Sequence, residues 1–156
     1  MIRTRSLMPM LMVAGGLATF AVSLPVAAQF AKVEEAIKYR RAGMTMMQTH
    51  IGRVFAMASG RAPFDAKAVA DNAELATILS KLPYAGFVEG SDKGDTNALP
   101  KIWTEPDKFR AAAAKMQEEM SKMNAAAKTG NVETIRAAVG ETGKACKACH
   151  DVYRKE

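Results

Sequence analysis

Two cysteines and a histidine near one end of the chain have the spacing of a site for covalent cofactor attachment. The residues are Cys146-Lys147-Ala148-Cys149-His150, and the 156-residue sequence contains no other cysteine. In a C-x-x-C-H arrangement each thiol can form a thioether with a haem vinyl group, and the histidine can ligate the iron. On a helix these three side chains share one face. The motif therefore predicts one haem c, attached through Cys146 and Cys149, with His150 on the iron.

The same pair of cysteines could instead take part in disulfide exchange or in a zinc site. Disulfide exchange usually places the motif between a strand and a helix, and here only six residues follow His150. A zinc site needs further ligands, and the only other histidine, His50, lies far away in the sequence. We therefore expect haem attachment rather than either alternative.

The first 28 residues have the pattern of a secretory signal peptide. Arg3 and Arg5 precede an apolar stretch, and Val26-Ala27-Ala28 supplies small residues before a cut. A retained membrane anchor is the alternative, but proline and glycine interrupt the apolar stretch. We predict a cleaved signal at 1–28, a mature domain at 29–156, a periplasmic location and no membrane attachment after cleavage.

The charge of the mature chain is modest. Cleavage leaves 20 basic and 16 acidic residues, a net charge of +4. A small positive charge favours acidic partners, but no run of basic residues stands out, so the sequence does not predict a nucleic-acid partner. Export also fits the two thiols, since haem attachment prevents them from pairing in an oxidising compartment.

Four periodic segments predict helices, in a chain whose alanine, methionine, lysine and glutamate content favours helix. The segments run over about 33–59, 65–82, 104–130 and 131–153, and we expect Asp65, Thr104 and Asn131 to cap the last three. Short first and third connections imply an all-α, antiparallel four-helix bundle with the haem in its core. We expect the long connection at 83–103 to cross one end of the bundle, with Phe87 and Trp103 folded inward.

Each segment has an apolar stripe that predicts its buried face. The stripes are Ile37, Met44, Met47, Ile51, Val54 and Ala58; then Val69, Leu75, Ile78, Leu79 and Leu82; then Phe109, Ala113, Met116, Met120, Met123 and Ala127; then Val132, Ile135, Val139, Thr142, Cys146, Cys149 and Tyr153. Arg40 interrupts the first stripe. A buried cation needs a partner, so Arg40 either meets a haem propionate or extends to water near the helix end.

The chain resembles cytochrome c′, the class II c-type cytochromes of bacteria. The resemblance covers essentially the whole mature chain, including its start at 29–32, the Lys38-Tyr39-Arg40 segment and the C-terminal C-K-A-C-H-D-x-Y-R motif. The late position of the haem motif is its most specific feature. Ordinary small cytochromes c carry this motif near the N-terminus and take a methionine ligand from downstream, whereas no methionine follows Met123 here.

The resemblance implies a high-spin, five-coordinate haem with His150 as the only protein ligand to iron. It implies that Met44 covers the opposite face of the haem, that Arg40 accompanies a propionate and that Arg154 lies near the proximal face. It further implies a homodimer packed through the first two helices. Members of the family bind NO and CO and are redox active.

The function stays open between two classes. The chain is either an electron carrier or a protein that binds NO and CO, and no acid–base pair or activated nucleophile indicates an enzyme. The alternative is a low-spin electron carrier in which a methionine ligates iron, since a thioether is a competent iron ligand. Core packing is the other role for Met44. The redox partner is not identified by the sequence.

Overall fold

Four long helices form the body of the chain. The computed structural model describes residues 29–155, so the predicted signal peptide at 1–28 lies outside the described residues. Helix α1 spans Val33–Ala58, α2 Ala66–Leu79, α4 Pro106–Ala127 and α5 Val132–Tyr153. The connection between α2 and α4, called the crossover below, contains a 3₁₀ turn at Pro83–Gly86 and a short helix α3 at Lys101–Thr104.

The long helices form a closed ring of neighbours. Helix α1 packs beside α2 and α5, and α4 packs beside the same two helices. This arrangement confirms the predicted all-α four-helix bundle. Within residues 29–155, no helix combines the length and the apolar character needed to cross a membrane.

The helix ends follow the predicted capping residues at two of three places. The carboxylate of Asp65 accepts a hydrogen bond from the Ala68 amide at 3.0 Å, and the Asn131 side chain accepts one from Thr134 at 2.9 Å. The predicted start of a helix at Thr104 is wrong. Thr104 ends α3 instead, and α4 begins at Pro106, where proline has no amide hydrogen that a cap would need to satisfy.

The predicted faces of α1 and α4 are confirmed. In α4 all six residues of the stripe are at most 8 % exposed, and in α1 only Met44 and Ile51 of the stripe are half-buried rather than buried. The centre of the bundle is filled mainly by branched aliphatic residues and methionines, namely Met47, Val54, Val69, Met116, Met120, Met123, Ile135 and Val139.

The predicted face of α2 is wrong in its larger residues. Leu75, Ile78 and Leu82 are between 41 and 54 % exposed. The buried side of α2 consists of Val69, Ala73 and Ala76. Small side chains let α2 pack closely against its neighbours, so the helix is rotated to bury alanines while Leu75 and Ile78 remain on the surface and Leu79 packs half-buried against the core.

Gly86 permits the closest approach between the crossover and α1. A Cβ atom at this position would lie 2.5 Å from the carbonyl oxygen of Ala36 and 2.9 Å from the Cβ of Arg40. Such distances are too short for atoms that are not bonded, so only glycine fits here without displacement of the backbone.

We expect Gly86→Ala to lower the free energy of unfolding by about 1–3 kcal/mol, the usual cost of overpacking. Gly140→Ala provides the matched control, because a Cβ on this exposed residue of α5 meets no atom within 4 Å. It should raise stability by roughly 0.5–1 kcal/mol through the better helix propensity of alanine. Chemical denaturation of the two variants measures both effects, and a Gly86→Ala variant as stable as the parent would contradict the close approach.

Candidate functional site

A cavity of about 540 Å³ lies among α1, the crossover, α4 and α5. Its size is within the range of protein sites that bind small molecules and cofactors. The walls are mainly apolar and aromatic, with Met44, Met47, Ile51, Tyr84, Phe87, Ile102, Phe109, Met116 and Tyr153 among the lining residues. The cavity can therefore hold a flat, largely apolar group.

The three residues of the C-x-x-C-H motif lie together in the α5 wall of this cavity. Cys146 and Cys149 are half-buried free thiols, and burial raises the pKa of both. His150 also lines the cavity. Burial and the nearby Arg154 lower the pKa of His150, while Asp151 acts in the opposite direction. The lower pKa favours the neutral imidazole, which is the form that binds metal ions.

Methionines of α1 form another part of the lining. Met44 and Met47 both line the cavity, with Met44 half-buried and Met47 only 7 % exposed. Met46 is 48 % exposed and is not among the lining residues. The structure thus places Met44 in the lining of the same cavity as the haem motif, as it must if Met44 covers one face of the haem.

Arg40 is buried in the wall between α1 and the crossover, and it is only 3 % exposed. Its Nη1 donates to Gly86 O at 2.8 Å and to Ser91 Oγ at 2.5 Å, and its Nη2 donates to Ser91 O at 2.5 Å and to Thr96 Oγ1 at 2.7 Å. Burial lowers the pKa of Arg40 to about 10. The alternative in which Arg40 extends to water is wrong, and its contact with a propionate stays a prediction.

A group of aromatic rings closes the cavity on the side of the crossover. Phe109 lies 4.9 Å from Phe87, 5.9 Å from Tyr84 and 5.2 Å from Tyr153, measured between ring centroids. Trp103 packs behind Phe87, so the predicted inward position of both residues is confirmed. Burial raises the pKa of Tyr84 above its usual value, which keeps this phenol neutral. Tyr84 was not among the predicted site residues, although its position three residues before Phe87 in the crossover could have indicated that it lies near the cavity.

The end of α5 is held to the crossover by backbone hydrogen bonds. The amide of Leu99 donates to Tyr153 O at 2.9 Å, and the amide of Lys155 donates to Asn97 O at 2.8 Å. Arg154 lies between these bonds and lines the cavity. Arg154 follows His150 by one helical turn, and these bonds hold it beside the residues of the motif.

His50 does not belong to this site. It is half-buried, its Nδ1 lies 2.8 Å from the side-chain oxygen of Asn72, and it is not among the residues that line the cavity. Within residues 29–155, no three histidine, cysteine or acidic side chains group as a metal ion would need.

The residues present fit a haem. The two thiols and His150 share one wall, as thioether formation and iron ligation require, and apolar side chains surround the space beside them. Arg41 and Arg154 are exposed cations of the lining that suit the two carboxylates of the macrocycle. Such a group carries both the apolar area that fills the cavity and the anions that suit its cationic lining.

Comparisons with known proteins agree with this geometry. A family model described as Cytochrome C′ matches residues 35–154. The cytochrome c′ of Rubrivivax gelatinosus is 50 % identical over 129 residues, which are 82 % of this chain and all of that protein. Its crystal structure covers 81 % of this chain with a TM-score of 0.78.

The cytochrome c prime of Alcaligenes xylosoxidans gives a second match. A nitric oxide complex of one of its variants is 42 % identical and covers 81 % of this chain and 98 % of that chain, with a TM-score of 0.76. A carbon monoxide-bound variant of the same protein matches equally well. The matches span the bundle and the haem motif together. The chain carries one haem c, covalently attached through cysteine, and it belongs to the cytochrome c′ family.

Proposed function

We propose that this chain is a periplasmic haem protein that binds NO and CO at a five-coordinate iron and also transfers electrons, without acting as an enzyme. Cys146 and Cys149 attach the haem, and His150 is its only protein ligand to iron. The haem supplies an iron that changes between ferric and ferrous states and can accept a gas molecule. The observation that carries the proposal is the cavity itself, which has the C-x-x-C-H motif in one wall and the thioether of Met44 in another.

The protein's own residues decide which ligands reach the iron. His150 lies in the α5 wall and Met44 in the α1 wall. With a haem bound, the apolar side chain of Met44 would shield the iron from water and would admit a small gas molecule only by moving aside, because the surrounding core is closely packed. The NO and CO complexes of the Alcaligenes xylosoxidans variants support gas binding for this chain as well.

The low-spin alternative assigns Met44 to the iron as a sixth ligand. It is favoured by one observation, the position of a flexible thioether on the cavity wall. The two readings differ in the visible spectrum, since a methionine ligand gives low-spin iron. The periplasmic location rests on the signal sequence at 1–28 together with the C-x-x-C-H motif.

We expect one covalent haem per chain. Mass spectrometry of denatured protein from cells that mature c-type haem should give the mass of residues 29–156 plus one haem. Cys149→Ser should lose one of the two thioethers and much of the yield of haem protein. A mass that corresponds to a bare chain with a disulfide, obtained from the same cells, would refute the haem site.

Met44→Ala should raise the affinity for CO and NO, mainly through faster binding, because it removes the side chain that a ligand must displace. The truncation should also lower stability by about 2–5 kcal/mol if haem binding leaves Met44 fully buried. Met46→Ala is the matched control, since Met46 is on the same helix but 48 % exposed. Stopped-flow binding of CO to the reduced protein measures the rates.

The spectrum of the same variants separates shielding from ligation. Parent protein that is already high-spin, with a spectrum that Met44→Ala does not change, excludes Met44 as an iron ligand. Low-spin iron that becomes high-spin in Met44→Ala supports the alternative reading instead. Unchanged gas binding in a high-spin Met44→Ala protein would also remove the shielding role.

The exposed apolar side of α2 supports a homodimer through α1 and α2. Leu75 and Ile78 are 44 and 54 % exposed, and Tyr39 of the adjacent α1 is 39 % exposed. An apolar surface shared by two neighbouring helices is typical of a protein interface.

Ile78→Lys should therefore convert the dimer to a monomer, because it places a charge in the centre of an apolar contact. Ala114→Lys adds the same charge to an exposed position of α4 and should leave the dimer intact. Sedimentation velocity at micromolar concentration distinguishes the two states. A parent protein that is monomeric under these conditions contradicts the proposal.

A further inference from the structure

The buried guanidinium of Arg40 has most of its hydrogen-bonding capacity committed to the crossover. A guanidinium carries five N–H donors, and four of them are used by the bonds to Gly86, Ser91 and Thr96. All of these acceptors lie in the segment from Gly86 to Thr96, which is called the pinned segment below. The remaining donor, on Nε, is the only one left for any other group.

Aromatic rings fix the orientation of the same guanidinium. Its central carbon lies 4.6 Å from the centroid of the Phe87 ring and 6.0 Å from that of Trp103. In the described part of the chain, no carboxylate forms an ion pair with Arg40, whereas the neighbouring Arg41 pairs with the exposed Asp95. The charge of Arg40 is thus surrounded by oxygen atoms and ring faces of the crossover, and Asp92 acts on it without forming an ion pair.

The pinned segment forms part of the cavity wall. Phe87 and Thr96 belong to it and line the cavity, and Asn97 and Ala98 continue the wall directly after it. The segment has no regular secondary structure after Gly86, so side chains must hold it in place. Ser91 is completely buried and accepts two of the four bonds from Arg40. Arg40 therefore makes more hydrogen bonds between α1 and this wall than the exposed Arg41, which donates to Asp95.

We propose that Arg40 is a positioning residue, which acts on the haem site chiefly through the pinned segment rather than by direct contact with the haem. Its four bonds keep Phe87 and Thr96 against the cavity and so set how closely the wall fits the bound group. The proposal rests on the proposed haem site, since it concerns the wall of that site.

The test compares Arg40→Gln with two variants that keep the charge of Arg40 and each remove one of its two side-chain acceptors, Ser91→Ala and Thr96→Val. Amide hydrogen exchange over residues 87–97 of the haem-loaded protein should rise by at least about tenfold in Arg40→Gln, because buried hydrogen bonds to a charged group are lost. Ser91→Ala and Thr96→Val should change exchange in the same direction. Arg40→Lys should not restore the parent rate, since an ammonium cannot reproduce the fork of a guanidinium.

The rate of CO binding shows whether the effect reaches the haem site, because a change in overall stability alone would not alter it. CO should bind faster in Arg40→Gln, Ser91→Ala and Thr96→Val. Arg53→Gln and Thr104→Val are matched controls, as both are exposed residues outside the cavity lining, and both should behave like the parent. If Arg40→Gln does not fold, the two partner variants decide the question.

Two results would overturn the proposal. One is unchanged hydrogen exchange over 87–97 in Arg40→Gln. The other is a changed CO rate in Arg40→Gln with parent-like rates and exchange in both partner variants, which would assign Arg40 to direct contact with the haem. Failure of the proposed function is recognised separately, since the mass of the parent chain would then lack haem, whereas failure of this proposal leaves the parent mass with one haem.

Discussion

The apolar stripe by which α5 closes the bundle continues without interruption into the haem motif. Ile135, Val139 and Thr142 pack in the bundle interior, and the two cysteines follow on the same face of the helix. A helix can turn only one face inward. The packing that buries the first half of the stripe therefore also directs the thiols toward the cavity, and the cofactor occupies the place that further core side chains would otherwise fill.

The parts of the structure that the sequence predicts best are those in which nearby residues carry the information. The haem motif occupies five consecutive positions, and the stripes of α1 and α4 consist of apolar residues, most of them large, at regular spacing, so local periodicity was sufficient. In α2 the same reasoning failed, because Leu75 and Ile78 appear more suited to the core than Ala73 and Ala76. Which side of that helix is buried depends on how closely its neighbours approach, and that distance is not encoded in α2 alone.

The surroundings of Arg40 show a second limit. Its acceptors lie 46 to 56 positions later in the chain, in a segment with no periodic pattern. The sequence indicated that a buried cation needs a partner, but oxygen atoms of an irregular loop supply that need as well as a cofactor carboxylate does. Only the three-dimensional path of the crossover distinguishes these two solutions.

The backbone hydrogen bonds between the end of α5 and the crossover join residues 97–155 into one unit, to which α1 is attached differently. Because Leu99 is bonded to Tyr153 and Asn97 to Lys155, the chain from residue 97 to residue 155 forms a closed loop that contains α3, α4 and α5. The wall with the haem motif and the wall formed by residues 97–102 are thus fastened to each other through the main chain. Helix α1 is joined to the crossover by the close approach at Gly86 and by the side chains of Arg40 and Arg41, with no main-chain hydrogen bond between them in the described residues. A change in the width of the cavity can therefore move α1 relative to this closed loop without breaking a main-chain hydrogen bond.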